Sequence, residues 1–210
     1  MKKAADVAIA GKLKASDWWR LRDTLVPGEQ GDWSEAVENY FMQRISLRYL
    51  RPIRTLQTRL RGEGEGFSMV ALQCTLMEFL AAARVGKTYK HADTDSLGDH
   101  EYNDSQELFV RFLRGHPPFA ECLTTRREAN SFYVSIRCGL LHEASTKNGW
   151  LISLSGEPGI DPKAYVVYRN TLQDMLEDYI SDYARAVLVD KQLQSALKRK
   201  FDALSGWCVP

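Results

Sequence analysis

Two residue types in this chain stand at a spacing that suggests chemistry. Arg137 and His142 bracket the run Arg137-Cys138-Gly139-Leu140-Leu141-His142, with Glu143 directly behind it. Imidazole gives and takes protons near neutral pH, and guanidinium presents a planar fork of donors to an anionic group. The two positions are five apart, which on an ideal α-helix is about 140° around the axis. They therefore share no face of an intact helix. They converge only if the helix ends between them or if a second subunit supplies one of them, and Gly139 makes a distortion easier. An ordinary structural use also fits. Arg137 could pair with an acid such as Glu78, and His142 could sit at a helix C-terminus, where a cation meets the negative end of the dipole. Glu143 and Glu78 are the acids able to orient Arg137 or His142, and Tyr133, four residues before Arg137, shares its face.

The elements that must position these residues read as mainly helical. Residues 4–26 suggest a helix carrying Leu13, Trp18, Trp19, Leu21 and Leu25, stopped by Pro27-Gly28. This is an N-terminal helical arm over 1–30, ahead of a helical domain over 31–210. A second helix begins near Asp32 or Ser34, either of which can cap, and Pro52 should kink or break it. Phe67–Val85 is apolar almost all round, as expected of a central core helix. A short helix over Ser105–Arg114 follows, then one over Arg126–Leu141 that leads into the motif. Asn148-Gly149 is a turn signal. Trp150–Leu154 and Ala164–Tyr168 are rich in strand formers, which predicts a small β-hairpin. A long helix over Asn170–Leu204 closes the chain, with Asp190 interrupting its apolar stripe.

Composition narrows the classes. The chain has 210 residues and a formal net charge of +1, so it can bury a core without staples, and any nucleic-acid surface must be a local patch. None of Cys74, Cys122, Cys138 and Cys208 lies two or three residues from another, which excludes a zinc ribbon and a thioredoxin-type motif. The stretch from His91 through Asp93, Asp95, Asp99 and His100 to Asp104 matches no zinc or EF-hand spacing, so no metal or cofactor is expected. Gly62-Glu63-Gly64-Glu65-Gly66 lacks the Lys-Ser/Thr of a phosphate loop. The start, Met1-Lys2-Lys3-Ala4-Ala5-Asp6, carries no apolar leader, and no run approaches the roughly 18 apolar residues that span a bilayer. The expectation is a cytoplasmic protein with no membrane partner. Arg44, Arg48 and Arg51 fall at helical spacing within a set that includes Arg54, Arg59 and Arg61. Such a stripe could track an RNA backbone, and the flanking acids fit a salt-bridged surface equally well. Trp18 and Trp19 could stack on bases or dock their segment by burial.

The stretch Phe132-Tyr133-Val134-Ser135-Ile136-Arg137-Cys138-Gly139-Leu140-Leu141-His142-Glu143-Ala144, in its helical frame, resembles the R-x4–6-H signature of HEPN proteins. The resemblance covers residues 32–204, including the Phe67–Val85 helix with Glu78 and the long C-terminal helix. It implies a HEPN-like helical bundle with a β-hairpin inserted before the last helix. Many members of that family are metal-independent ribonucleases acting as homodimers, among them toxins paired with antitoxins and antiviral defence nucleases. Carried over, His142 is the general acid or base and Arg137 holds the phosphate. Glu143, Glu78, Tyr133 and Cys138 support them, Cys138 standing where many members carry a polar residue. RNA and an antitoxin or defence-system protein are the implied partners. The alternative is a non-catalytic interaction or dimerisation module.

Overall fold

The computed structural model describes residues 6–59 and 64–206. The basic start over Met1–Ala5, Gly62-Glu63 of the glycine–glutamate stretch, the Arg59 side chain, Arg61 and Cys208 lie outside the described residues.

In chain order the elements are β1 (Ala8–Ala10), β2 (Leu13–Lys14), α1 (Ala15–Arg22), α2 (33–59), α3 (Glu65–Val85), β3 (Thr88–Tyr89), β4 (Glu101–Tyr102), α4 (Ser105–Gly115), α5 (Phe119–Cys122), α6 (126–143), β5 (Leu151–Ser153), β6 (Ile160–Asp161), β7 (Val166–Tyr168), α7 (Arg169–Val187) and α8 (Lys191–Leu204). The fold is mainly α with small β elements. Within α2, Ala36–Met42 and Ser46–Leu50 adopt wider π turns, as does Tyr133–Cys138 within α6. The chain forms two compact units, one of residues 1–50, 82–103 and 182–210, the other of 51–81 and 104–181.

In the first unit the N-terminal segment is a two-stranded antiparallel pair followed by the short helix α1, in place of the continuous helix expected over 4–26. Gly11, at φ +57, turns the chain between β1 and β2 and breaks the helical run. The segment is held by burial. Trp18 is fully buried, its ring 5.0 Å from Tyr40 and 5.1 Å from Phe201, and its indole N–H donates to Asp202 at 2.8 Å. Trp19 donates to Ser205 at 3.1 Å. Docking, rather than base stacking, occupies both tryptophans.

The long C-terminal helix is two helices. Chain turns at Leu188–Val189, and the Asp190 carboxylate accepts from the N–H groups of Gln192 at 2.7 Å and Leu193 at 3.1 Å. Asp190 interrupts the apolar stripe because it caps α8. Pro52 does not break α2 either. The wide turns over Ser46–Leu50 lie immediately upstream, where proline's missing N–H and its ring must be accommodated.

In the second unit α4, α5 and α7 meet in an aromatic cluster in which Phe112 lies 4.9 Å from Tyr179 and 5.5 Å from Phe119. Phe109 is edge-on to Tyr133 of α6 at 5.3 Å. The strand formers at 150–154 and 164–168 do become strands, but they do not pair as a hairpin. The order is β5-β7-β6, with β5 parallel to β7 and β6 antiparallel to it. The connecting loop itself supplies β6, and that short strand takes the hairpin position beside β7. The helix α3 is long and apolar enough, by length and composition, to cross a membrane, and 61% of its most apolar window is buried.

Candidate active site on the motif helix

The motif lies on α6, which a reciprocal cap starts. The Thr125 hydroxyl accepts from Glu128 N–H at 3.2 Å, and the Glu128 carboxylate accepts from Thr125 N–H at 2.8 Å. The helix does not end between Arg137 and His142. It runs to Glu143 and stops at Ala144, which adopts the left-handed conformation at φ 50. The π turns over Tyr133–Cys138 carry less rotation per residue than α turns, so the ideal-helix separation of the pair does not apply through Cys138.

Arg137 is engaged within its own unit. Its Nη2 donates to Glu78 Oε2 of α3 at 2.7 Å, with side-chain exposures of 16% and 19%. Its guanidinium carbon lies 5.3 Å from the centre of the Tyr133 ring. Burial pulls the guanidinium's proton affinity down and the Glu78 hydrogen bond and charge push it up; the balance is upward. Burial pushes the Tyr133 hydroxyl up to about 12 against the opposing charge of Arg137. The Cys138 thiol sits beside both Tyr133 and Arg137. Arg137 Nε is buried and meets no hydrogen-bond partner. Cys74 of α3 is buried near the same group, its thiol pushed up to about 12 by desolvation.

His142 is exposed, and no hydrogen bond or ion pair ties its imidazole to any described residue. Glu143 turns outward to Lys147 at 3.3 Å. Of the two acids that could have served the site, Glu78 is therefore the one that joins Arg137. The structure brings Glu78, Tyr133, Arg137 and Cys138 together, and it leaves His142 open at the helix end.

Sequence reasoning missed what holds this helix end. The chain after Ala144 folds back along α6. Lys147 N–H donates to the Ser135 carbonyl at 3.0 Å, and the Asn148 side-chain amide donates to the buried Ser135 hydroxyl at 2.9 Å. Gly139 makes this possible, since a Cβ there would stand 2.5 Å from the Ser145 carbonyl oxygen. Its role is close approach rather than distortion. Asn148 and Gly149, at φ 54 and φ 78, do turn the chain as their types suggest, but the turn straps α6 instead of joining two paired strands.

The arginine stripe is divided between tasks. Arg44 Nη1 donates to the Ile9 carbonyl at 2.6 Å and Arg48 Nη2 to the Ala8 carbonyl at 3.4 Å, so both hold β1. Burial, with the neighbouring Arg48 charge, lowers Arg44 to about 10. Arg51 is exposed. Among the described residues no group of three or more His, Cys, Asp or Glu could hold a metal ion.

Comparison with protein-family models, with curated proteins and with solved structures found no match.

Proposed function

We propose that this chain is a metal-independent RNA endonuclease of the HEPN type, working in the cytoplasm as a homodimer in a toxin–antitoxin or antiviral defence setting. The observation that carries the reading is the contrast within one helix. Arg137 is preset by Glu78 and Tyr133, while His142, five residues on, is exposed and unclaimed by its own chain.

In the proposed reaction the RNA 2′-hydroxyl attacks the adjacent phosphorus. The new 2′-O–P bond forms as the P–O5′ bond breaks, which leaves a 2′,3′-cyclic phosphate and a 5′-hydroxyl. A base takes the proton from the 2′-hydroxyl and an acid gives one to the leaving 5′-oxygen. A single imidazole cannot do both at once, and two copies of His142, one neutral and one protonated, can. Arg137 holds the phosphate and offsets charge that develops on its oxygens. Arg51, exposed on α2, is the arginine of the stripe best placed to meet an RNA backbone.

A second reading, a non-catalytic interaction module, is favoured by the Glu78–Arg137 pair itself, because a neutralised guanidinium holds phosphate less strongly. One experiment separates the two. Purified protein is incubated with RNA in EDTA beside His142→Ala. The nuclease reading expects cleavage to cyclic-phosphate ends and a loss of about 100-fold or more in the variant. Equal cleavage by both proteins, or none by the wild type as a dimer, leaves the interaction module.

A further inference from the structure

The pair Asn148-Gly149 in the strap carries a chemistry of its own. Both residues are exposed. Their φ values of 54 and 78, with the Trp150 N–H donating to the Lys147 carbonyl at 3.1 Å, make a tight two-residue turn. The Asn148 carboxamide carbon is an electrophile, and the Gly149 nitrogen can reach it by closing a five-membered ring. A side chain on the following residue, or a hydrogen bond on its N–H, ordinarily hinders that closure. Gly149 has neither. Beyond its chain neighbours no atom stands within 4 Å of where its Cβ would be, and its N–H donates to no described residue.

The other asparagines lack this combination. Asn39, Asn130 and Asn170 lie in helices, where the ladder fixes the backbone, and are followed by Tyr40, Ser131 and Thr171. Asn103 precedes Asp104, and its amide donates to the Ala92 carbonyl at 2.9 Å. Two bonds oppose ring closure at Asn148: the turn bond and the tie from its amide to Ser135 at 2.9 Å. Both hold an exposed turn, and opening there costs far less than unfolding the chain.

We propose that Asn148 is a self-modification site, which converts to aspartate and isoaspartate and in the isoaspartate form loosens the strap from α6. The Gly149 nitrogen, having lost its proton, attacks Asn148 Cγ. The N–Cγ bond forms, the Cγ–Nδ2 bond breaks, and the amide nitrogen leaves as ammonia with a proton taken from water. Water then opens the succinimide ring at either carbonyl. Breaking the bond to Cγ gives aspartate. Breaking the bond to the main-chain carbonyl carbon gives isoaspartate, whose main chain runs through Cβ and Cγ. No oxidation or reduction occurs, and water is the co-reactant. Both products lose the amide donor to Ser135. Isoaspartate also adds a carbon to the main chain inside the turn, which draws the Lys147 N–H away from the Ser135 carbonyl, 3.0 Å in the intact strap. The chemistry is independent of any nuclease activity.

The test is ageing of the purified full chain at mildly alkaline pH. Peptide mapping by mass spectrometry follows each asparagine, and methyl transfer from S-adenosylmethionine by an isoaspartate methyltransferase counts isoaspartate. Conversion at Asn148 is expected to run about tenfold or more ahead of every other asparagine, a barrier lower by about 1.4 kcal/mol. It quickens with pH, because the nucleophile is a deprotonated amide. Ser135→Ala, shown to be folded by its dispersed amide spectrum, removes the tie and quickens conversion further. Hydrogen exchange at the Lys147 amide is faster in the isoaspartate fraction than in fresh protein. Conversion at Asn148 no faster than at Asn103, no quickening in Ser135→Ala, or isoaspartate at this position with Lys147 protection intact would each overturn the proposal.

Discussion

Arg137 on α6 donates to Glu78 on α3 across 2.7 Å, and each side chain is more than four-fifths buried. A charge pair this far from water depends on both members. Removing Glu78 leaves a guanidinium with no counter-charge, and Arg137 already carries one unmet buried N–H at Nε. Glu78→Ala is expected to lower the unfolding free energy by about 3 kcal/mol. The double substitution Glu78→Leu with Arg137→Met is expected to recover most of that loss. Urea unfolding of the three variants measures both quantities. A single variant as stable as the wild type would show that water already compensates the pair.

Gly139 gives a steric prediction. With its Cβ placed 2.5 Å from the Ser145 carbonyl oxygen, Gly139→Ala must push the returning strap away from α6. The clash is with backbone, which yields poorly. The expected cost is about 1–3 kcal/mol, accompanied by faster hydrogen exchange at the Lys147 amide, whose acceptor is the Ser135 carbonyl. Unchanged protection at Lys147 would show that the strap does not need this close approach.

Asp190 gives a capping prediction. Its carboxylate meets two of the free N–H groups at the start of α8. Asp190→Ala should cost about 1 kcal/mol, and Asp190→Asn should retain most of the stability because an amide oxygen also accepts. Thermal unfolding ranks the three proteins. Equal losses in Ala and Asn variants would point to charge rather than hydrogen bonding.

Glu128 gives a pH prediction. The Thr125 N–H holds its carboxyl below the ordinary value of 4.5. The folded state therefore binds this proton less readily than the unfolded chain. The contribution is present above the unfolded value and is lost as pH falls through the lowered folded one. Glu128→Gln keeps the reciprocal cap and removes the titration. Between about pH 5 and about pH 3 the wild type is expected to lose stability more steeply than the variant. Parallel curves would show that the cap is not titrating.

Thr125 and Glu128 act on their immediate neighbours, so the cap they form is readable from residue order. The same holds for the apolar run of α3, whose continuous hydrophobicity demands burial. Hence the mainly helical body, the start of α6 and the strand-forming segments around Leu151 and Val166 were legible before any coordinates.

What residue order left open depended on partners far along the chain. Glu78 and Glu143 are the same residue type, and only the packing of α6 on α3 decides that Glu78 joins Arg137 while Glu143 pairs with Lys147. Arg44 and Arg48 look like a phosphate-binding stripe until the carbonyls of β1 claim them. Strand composition cannot tell parallel from antiparallel, because both bury the same alternating side chains, so the pairing of β5 with β7 was set by the path of the loop between them. The Arg137–His142 spacing named the residues. The tertiary structure separated their states: one guanidinium committed to a carboxylate in the interior, and one imidazole left to solvent, because hydrogen-bond partners are assigned by three-dimensional proximity rather than by sequence distance.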